Sequence, residues 1–191
     1  MKSSRLEAFS DGVLAIIITI MVLELKIPHG ESFDDLADSA TGLLTYLLSF
    51  VYIGIYWNNH HHMFHVVEQV RGGVLWANLH LLFWLSLVPF SNAWMDEEDF
   101  AQDPTATYGL NLLGAAIAYF ILEKAILRAE GPGSRLREAL GRDLKGKISP
   151  LIYVPGIVLA FVEPALSLAA YAVVAMIWLV PDRRIERLVD A

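Results

Sequence analysis

Six stretches of the chain are apolar enough to be predicted as membrane-spanning helices. Five contain no Asp, Glu, Lys or Arg, and they cover residues 39–67, 72–95, 104–122, 148–162 and 164–181. A sixth lies nearer the N-terminus, between Phe9 and Lys26. The pattern predicts an all-α membrane protein of one domain over 1–191, with a loop at 129–147 and spans near 6–27, 39–65, 72–95, 104–127, 148–162 and 164–181.

The first span differs from the others because it contains two carboxylates. Asp11 and Glu24 leave twelve uncharged residues between them, which cover about 18 Å as a helix. The hydrocarbon core of a bilayer is about 30 Å thick. Acidic side chains at this depth are tolerated where they face water or polar partners rather than lipid. A position beside a water-filled pore fits these requirements.

Composition agrees with a membrane protein and excludes several other classes. The chain is 55% hydrophobic and 18% charged, with a mean hydropathy of +0.48. It contains no cysteine, so disulfides and thiol catalysis are excluded. The net charge of -7 argues against a nucleic-acid partner. No hydrolase, P-loop or dinucleotide fingerprint is present, so we do not expect an enzyme.

The distribution of Lys and Arg predicts the topology. With a cytoplasmic N-terminus, twelve of the fourteen basic residues fall in segments on the inner side. This bias predicts a multi-pass membrane protein with both termini cytoplasmic. The outer loops are then acidic, with Asp34, Asp35, Asp96, Glu97, Glu98 and Asp99. They are either solvated loops or a vestibule that concentrates cations.

A polar layer is predicted at the inner end of the first three spans. A buried carboxylate there needs partners, so we expect Arg5, Ser10 and Asp11 to meet polar side chains of the second and third spans. The candidates in those spans are Asn58, His61, Asn78 and His80. The alternative is that Asp11 simply faces water on the inner side.

The histidines of the second span allow two other functions. His61 and His65 share a helix face and are weak candidates for metal ligands. A membrane metalloprotein would use these two together with His60 and His62. A proton-coupled transporter is the other alternative, with Asp11 or a histidine as the proton relay.

The segment RLEAFSD, from Arg5 to Asp11, resembles the RxxxFSD signature of the transmembrane protein 175 family of potassium channels. The stretch WNNHHH, the LVPF sequence and the closing LVPDRRIER are also similar to prokaryotic members. The resemblance implies a potassium-permeable cation channel without cofactors, in which selectivity for potassium over other monovalent cations is modest. It also implies a homotetramer with the first helix lining a central pore.

The resemblance assigns roles to residues of the first helix. The family uses a hydrophobic constriction in place of a carbonyl filter, and the matching positions are Ile16, Ile20 and Leu23, with Thr19 linked to potassium preference. Arg5, Phe9, Ser10 and Asp11 belong to the signature, and Arg5, Ser10 and Asp11 match positions that hold the helix in place. Periodicity alone leaves open whether the Ile and Leu stripe faces a pore, lipid or the protein core.

Overall fold

The computed structural model describes residues 2–37, 39–65, 67, 70–131 and 144–179, with the side chains of 144, 145 and 147 outside this description. Within these ranges the chain forms α-helices, as predicted. In chain order they are α1 Ser3–Leu23, α2 Phe33–Ala37, α3 Ala40–His65, α4 Gly72–Ser86, α5 Val88–Glu97, α6 Gln102–Glu130, α7 Leu144–Leu159 and α8 Pro164–Leu179.

Among the described residues, four helical segments are long and apolar enough to cross a membrane: Ser3–Leu23, Ala40–His65, Gly72–Glu97 and Gln102–Glu130. Two shorter apolar helices, Ile148–Leu159 and Pro164–Leu179, complete the apolar part of the described chain. The helices overlap the predicted spans, but the predicted loop at 129–147 is shorter than expected, because α6 extends to Glu130 and α7 begins at Leu144. Residues 132–143 of the predicted loop lie outside the described ranges.

Two helix boundaries differ from the sequence prediction for local reasons. The helix α1 ends at Leu23, four residues before the predicted end of the first span. Pro28 disfavours helical geometry at the residue before it, which discourages continuation of the helix. The third span is interrupted at Leu87, between α4 and α5. Pro89 has no amide hydrogen to donate to the preceding turn, so the helix is weakened at this point.

Helix α6 is the centre of the bundle. It packs against α4, α5, α7 and α8, while α1 packs against α3, α4 and α5. One stripe along α6 is fully buried, and it consists of Tyr108, Leu112, Ala115, Ala118 and Leu122. The structure therefore places α6 inside the bundle and α1 at its edge.

Glycine allows close helix packing at two positions of α6. A side chain on Gly114 would overlap the ring of Trp84, and one on Gly109 would overlap the hydroxyl of Tyr171. Membrane helices pack through such small residues because the hydrophobic effect does not drive helices together within lipid.

The packing of Gly109 can be tested with Gly109→Ala. The added methyl group meets the buried Tyr171, so we expect a loss of stability on the order of 1–3 kcal/mol, measured as a lower thermal midpoint in detergent. Gly54→Ala in α3 is the control, because no atom lies within 4 Å of the position its methyl would take. Equal midpoints for the two variants would contradict this account of the α6 interface.

Candidate functional site

Helix α1 has one face buried against the bundle and one face uncovered. The side chains of the buried face are each at most 4% exposed, and they are Leu6, Ser10, Leu14, Ile17 and Met21. Their spacing of three or four residues places them along one stripe of the helix. The described residues outside α1 cover this stripe and its flanks and leave the opposite side of the helix exposed.

The residues predicted to form the constriction lie on the uncovered side. Ile16, Ile20 and Leu23 are 59%, 41% and 80% exposed in the single chain. Thr19 is exposed beside them, and its hydroxyl donates to the carbonyl of Ile16 at 2.9 Å. Three large apolar side chains and one hydroxyl are thus available to another surface or to a pore.

An open groove of about 840 Å³ runs along α1 where this helix approaches α5. Ile16 and Ile20 line it from α1, and Phe90 and Trp94 line it from α5, with their rings stacked 6.3 Å apart. The groove is also lined by Glu24 and Glu97, the residues at the C-terminal ends of the two helices. The groove extends the apolar surface of α1 onto α5.

A chain of hydrogen bonds fixes the N-terminal half of α1 to α3 and α4. His60 Nε2 donates to Asn78 Oδ1 at 2.8 Å, and Asn78 Nδ2 donates to Ser10 Oγ at 3.0 Å. Ser10 in turn donates to the carbonyl of Leu6 at 2.9 Å. His60, Asn78 and Ser10 are all at most 1% exposed. A buried polar group without a partner costs free energy, so these hydrogen bonds favour the one orientation of α1 in which all of them form.

The carboxylates of α1 pair with α3 beside this chain. Asp11 Oδ1 accepts a hydrogen bond from Trp57 Nε1 at 3.0 Å. One turn away, Glu7 Oε1 accepts from His61 Nδ1 at 2.6 Å. Asp11 therefore reaches a partner on α3 and does not simply face water.

The structure brings together only part of the predicted network. Ser10, Asp11, His61 and Asn78 take part in contacts between α1 and its neighbours. His80 instead accepts from Trp84 Nε1, one turn further along α4. Arg5 and Phe9 are exposed, and among the described residues Arg5 forms no ion pair and the side chain of Asn58 forms no hydrogen bond.

Glu7, Trp57 and His60 complete the network although the sequence did not single them out for it. Of these three, only His60 was considered from the sequence, as a metal ligand. One signal was available: Glu7 and Asp11 are four residues apart on α1, as are Trp57 and His61 on α3. Two such pairs can face each other only if both helices have the right rotation, which sequence periodicity does not establish.

The geometry gives no support to a metal site at the histidines. His61 and His65 are neighbours, with ring centroids 5.8 Å apart. Across the described ranges, however, no three His, Asp or Glu side chains come together as a possible metal site. His61 is engaged by Glu7 instead.

The predicted acidic loops occupy two segments at one end of the bundle. Asp35 closes the first turn of α2, where it accepts hydrogen bonds from the Ser32 hydroxyl and amide, which lower the pKa of its carboxyl. Asp34 is exposed next to it. At the other segment Asp96 is half-buried, while Glu97, Glu98 and Asp99 are exposed around the end of α5. All six carboxylates thus lie in or next to loops.

Comparison with known proteins identifies close relatives of this chain. Residues 5–89 match the family model described as the endosomal/lysosomal potassium channel TMEM175. A protein of Chryseobacterium sp. (strain P1-3) named as a potassium channel is 56% identical over 98% of this chain and 97% of its own length. A protein of Streptomyces collinus with the same description is 33% identical, over 92% of this chain and 90% of its own.

A solved structure has the same fold. The crystal structure of a lysosomal potassium-selective channel TMEM175 homolog from Chamaesiphon minutus superposes with a TM-score of 0.79 at 29% identity. The match covers 94% of this chain and 97% of the crystallised one.

The buried hydrogen-bond chain can be tested with Asn78→Ala. The substitution leaves His60 Nε2 without its acceptor and Ser10 without its donor, so we expect a loss of about 1–3 kcal/mol of stability, measured as a lower thermal midpoint in detergent. Asn58→Ala is the matched control, since Asn58 is half-buried and outside the network. If the thermal midpoint of Asn78→Ala is no lower than that of Asn58→Ala, the buried hydrogen bonds do not stabilise the fold.

Proposed function

The chain belongs to the family of the endosomal/lysosomal potassium channel TMEM175, and on this premise we propose that it is a potassium-permeable cation channel of the cell membrane. The single observation that carries the proposal is the division of α1 into a buried face and an uncovered apolar face. A helix of this kind is anchored to its own subunit and available to line a pore. The names of the relatives, which are channels and not enzymes, support the same function.

A pore along α1 requires several copies of the chain. The exposed side chains Ile16, Ile20 and Leu23 all lie at the edge of the subunit. One helix cannot enclose a water-filled path, so copies must meet around an axis. We propose a homotetramer with four α1 helices around the axis. The groove between α1 and α5 supports this arrangement, because a neighbouring subunit would cover the apolar side chains that α5 contributes to it, Phe90 and Trp94.

The constriction consists of rings of Ile16, Ile20 and Leu23, one from each copy. A narrow ring of apolar side chains excludes water unless it widens, and this dewetting blocks ions without a closed steric plug. Thr19 places a hydroxyl between two of these rings and contributes to the preference for potassium. No carbonyl filter is required, and selectivity over other monovalent cations is modest.

The remaining parts of the chain support conduction. Six spanning helices with both termini in the cytoplasm place Asp34, Asp35, Asp96, Glu97, Glu98 and Asp99 on the outer side. Their negative charge raises the local concentration of cations at the pore entrance. On the inner side, Ser10 and Asp11 hold α1 against α3 and α4. The channel needs no cofactor, and K⁺ is the permeant ion.

The constriction can be tested with Ile16→Asn and Leu23→Asn. An amide in the ring is hydrated more readily than an alkyl chain, so we expect potassium conductance to rise on the order of tenfold or potassium preference to fall. Planar-bilayer recording with potassium and sodium on opposite sides measures both. Ile117→Asn is the matched control, because Ile117 is 47% exposed on α6, away from α1.

Two outcomes would contradict the channel proposal. If both variants conduct like the wild type, the constriction lies elsewhere. If uptake saturates and requires a pH gradient, the protein is a proton-coupled transporter, since channel flux follows the ion gradient alone.

The assembly can be tested by native mass spectrometry of the detergent-solubilised protein, where we expect four copies per particle. Phe90→Lys places a charge in the groove between α1 and α5 and should shift the population toward smaller species, because a desolvated unpaired charge is costly. Phe83→Lys is the control, since Phe83 is comparably exposed on α4. A stable dimer or monomer as the wild-type species would rule out the tetramer.

A further inference from the structure

The two halves of α1 have different neighbours. Ser10 and Asp11 in the N-terminal half form hydrogen bonds with α4 and α3. The C-terminal half lies along α5, and the two helices line the groove described above. Ile16 and Ile20 belong to this second half. The position of α5 therefore affects the part of α1 that carries the proposed constriction.

Continuity with α4 does not fix the position of α5. The third span is interrupted at Leu87. Pro89, in the first turn of α5, lacks the amide hydrogen that a continuous helix would use at this point. The two segments on either side of a proline break can meet at different angles. Contacts with other helices must therefore determine where α5 lies.

Buried hydrogen bonds from α3 and α6 provide these contacts. Ser49 Oγ of α3 donates to Asn92 Oδ1 of α5 at 2.7 Å. This bond uses the only hydrogen of the Ser49 hydroxyl, so the hydroxyl of Tyr108 on α6 donates to Ser49 Oγ at 2.9 Å. Beside them, Asn111 Nδ2 of α6 donates to Ser91 Oγ of α5 at 3.0 Å. All five residues are at most 4% exposed.

Asn92 connects this buried polar cluster to the groove beside α1. Its amide oxygen is bonded to α3, and through Ser49 it is linked to Tyr108 of α6. Phe90 and Trp94, two residues before and after Asn92, line the groove. Residues two apart lie on nearly opposite sides of a helix. One side of α5 is thus attached to α3 and α6, while the other side flanks α1.

We propose that Asn92 is a positioning residue for the constriction, which holds α5 where it supports the C-terminal half of α1. The inference rests on the proposed function, because it requires α1 to line the pore. Without the bond to Ser49, α5 can shift about the break at Leu87, and α1 loses a rigid neighbour beside Ile16 and Ile20. Side chains that are held less firmly discriminate less well between ions of similar size.

Single-channel recording in planar bilayers tests the inference, with potassium on one side and sodium on the other. The reversal potential gives the permeability ratio of the two ions, which does not depend on how many channels fold and insert. We expect Asn92→Ala to lower the potassium-to-sodium permeability ratio about twofold, an effect that the loss of one buried hydrogen bond between neutral groups can produce. Ser49→Ala should lower it equally. The double variant should lower it no further, because each substitution removes the same bond.

Ser167→Ala is the matched control. Ser167 of α8 is fully buried and donates to the carbonyl of Gly156 on α7 at 2.7 Å. The substitution removes a comparable hydrogen bond that does not involve α5, so we expect a lower thermal midpoint and the permeability ratio of the wild type. All variants are first compared by native mass spectrometry. If Asn92→Ala fails to assemble, Ser49→Ala decides the question.

Three results would overturn the inference. The first is the permeability ratio of the wild type in either Asn92→Ala or Ser49→Ala. The second is a double variant whose fold-change is the product of the two single fold-changes. The third is a permeability ratio that falls equally in Ser167→Ala. A wild type that passes no potassium, or that does not prefer potassium to sodium, would instead contradict the proposed function.

Discussion

The structure depends on holding α1 by one face while its opposite face stays uncovered. Lipid does not drive helices together as water does, so packing and polar contacts must fix the position of a membrane helix. Here Leu6, Leu14, Ile17 and Met21 provide the packing. The hydrogen-bond chain through Ser10, Asn78 and His60 provides the polar contacts. Both act on the same stripe of α1, so the rotation of the helix about its axis is fixed.

The polar contacts at the N-terminal half of α1 differ in burial and in chemistry. The hydrogen-bond chain through Ser10, Asn78 and His60 is buried from solvent. Its side chains act as uncharged donors and acceptors. Glu7 and His61 lie at its margin, where solvent reaches them. The hydrogen-bond chain is buried, whereas the contact between Glu7 and His61 is partly open to solvent. This end of α1 is thus held both inside the protein and at its surface.

The sequence predicted the all-helical architecture and the family correctly, because both depend on local patterns. Runs without charge placed α3 within one residue of its predicted ends, and the RLEAFSD segment identified the family that the relatives confirm. These relatives are channels, which also confirms that the chain is not an enzyme. The break at Leu87 was missed because a proline near the middle of a membrane span is compatible with either a continuous or an interrupted helix.

The partners of individual polar side chains were harder to predict. Asp11 was expected to meet Asn and His side chains, and its partner is Trp57. Asn58 and Asn78 look equivalent in the sequence, yet only Asn78 enters the network. The difference is one of rotation: a shift of a residue along a helix turns a side chain by about 100°, and periodicity in an almost uniformly apolar helix does not define that angle.

The sequence by itself determined the apolar segments and the family. Composition and local motifs contain that information because they act over a few residues. Only the tertiary structure decided which face of α1 is buried, which histidine faces Glu7 and which amide completes the buried chain. Those choices come from the packing of α1 against three other helices at once, and no single segment specifies it.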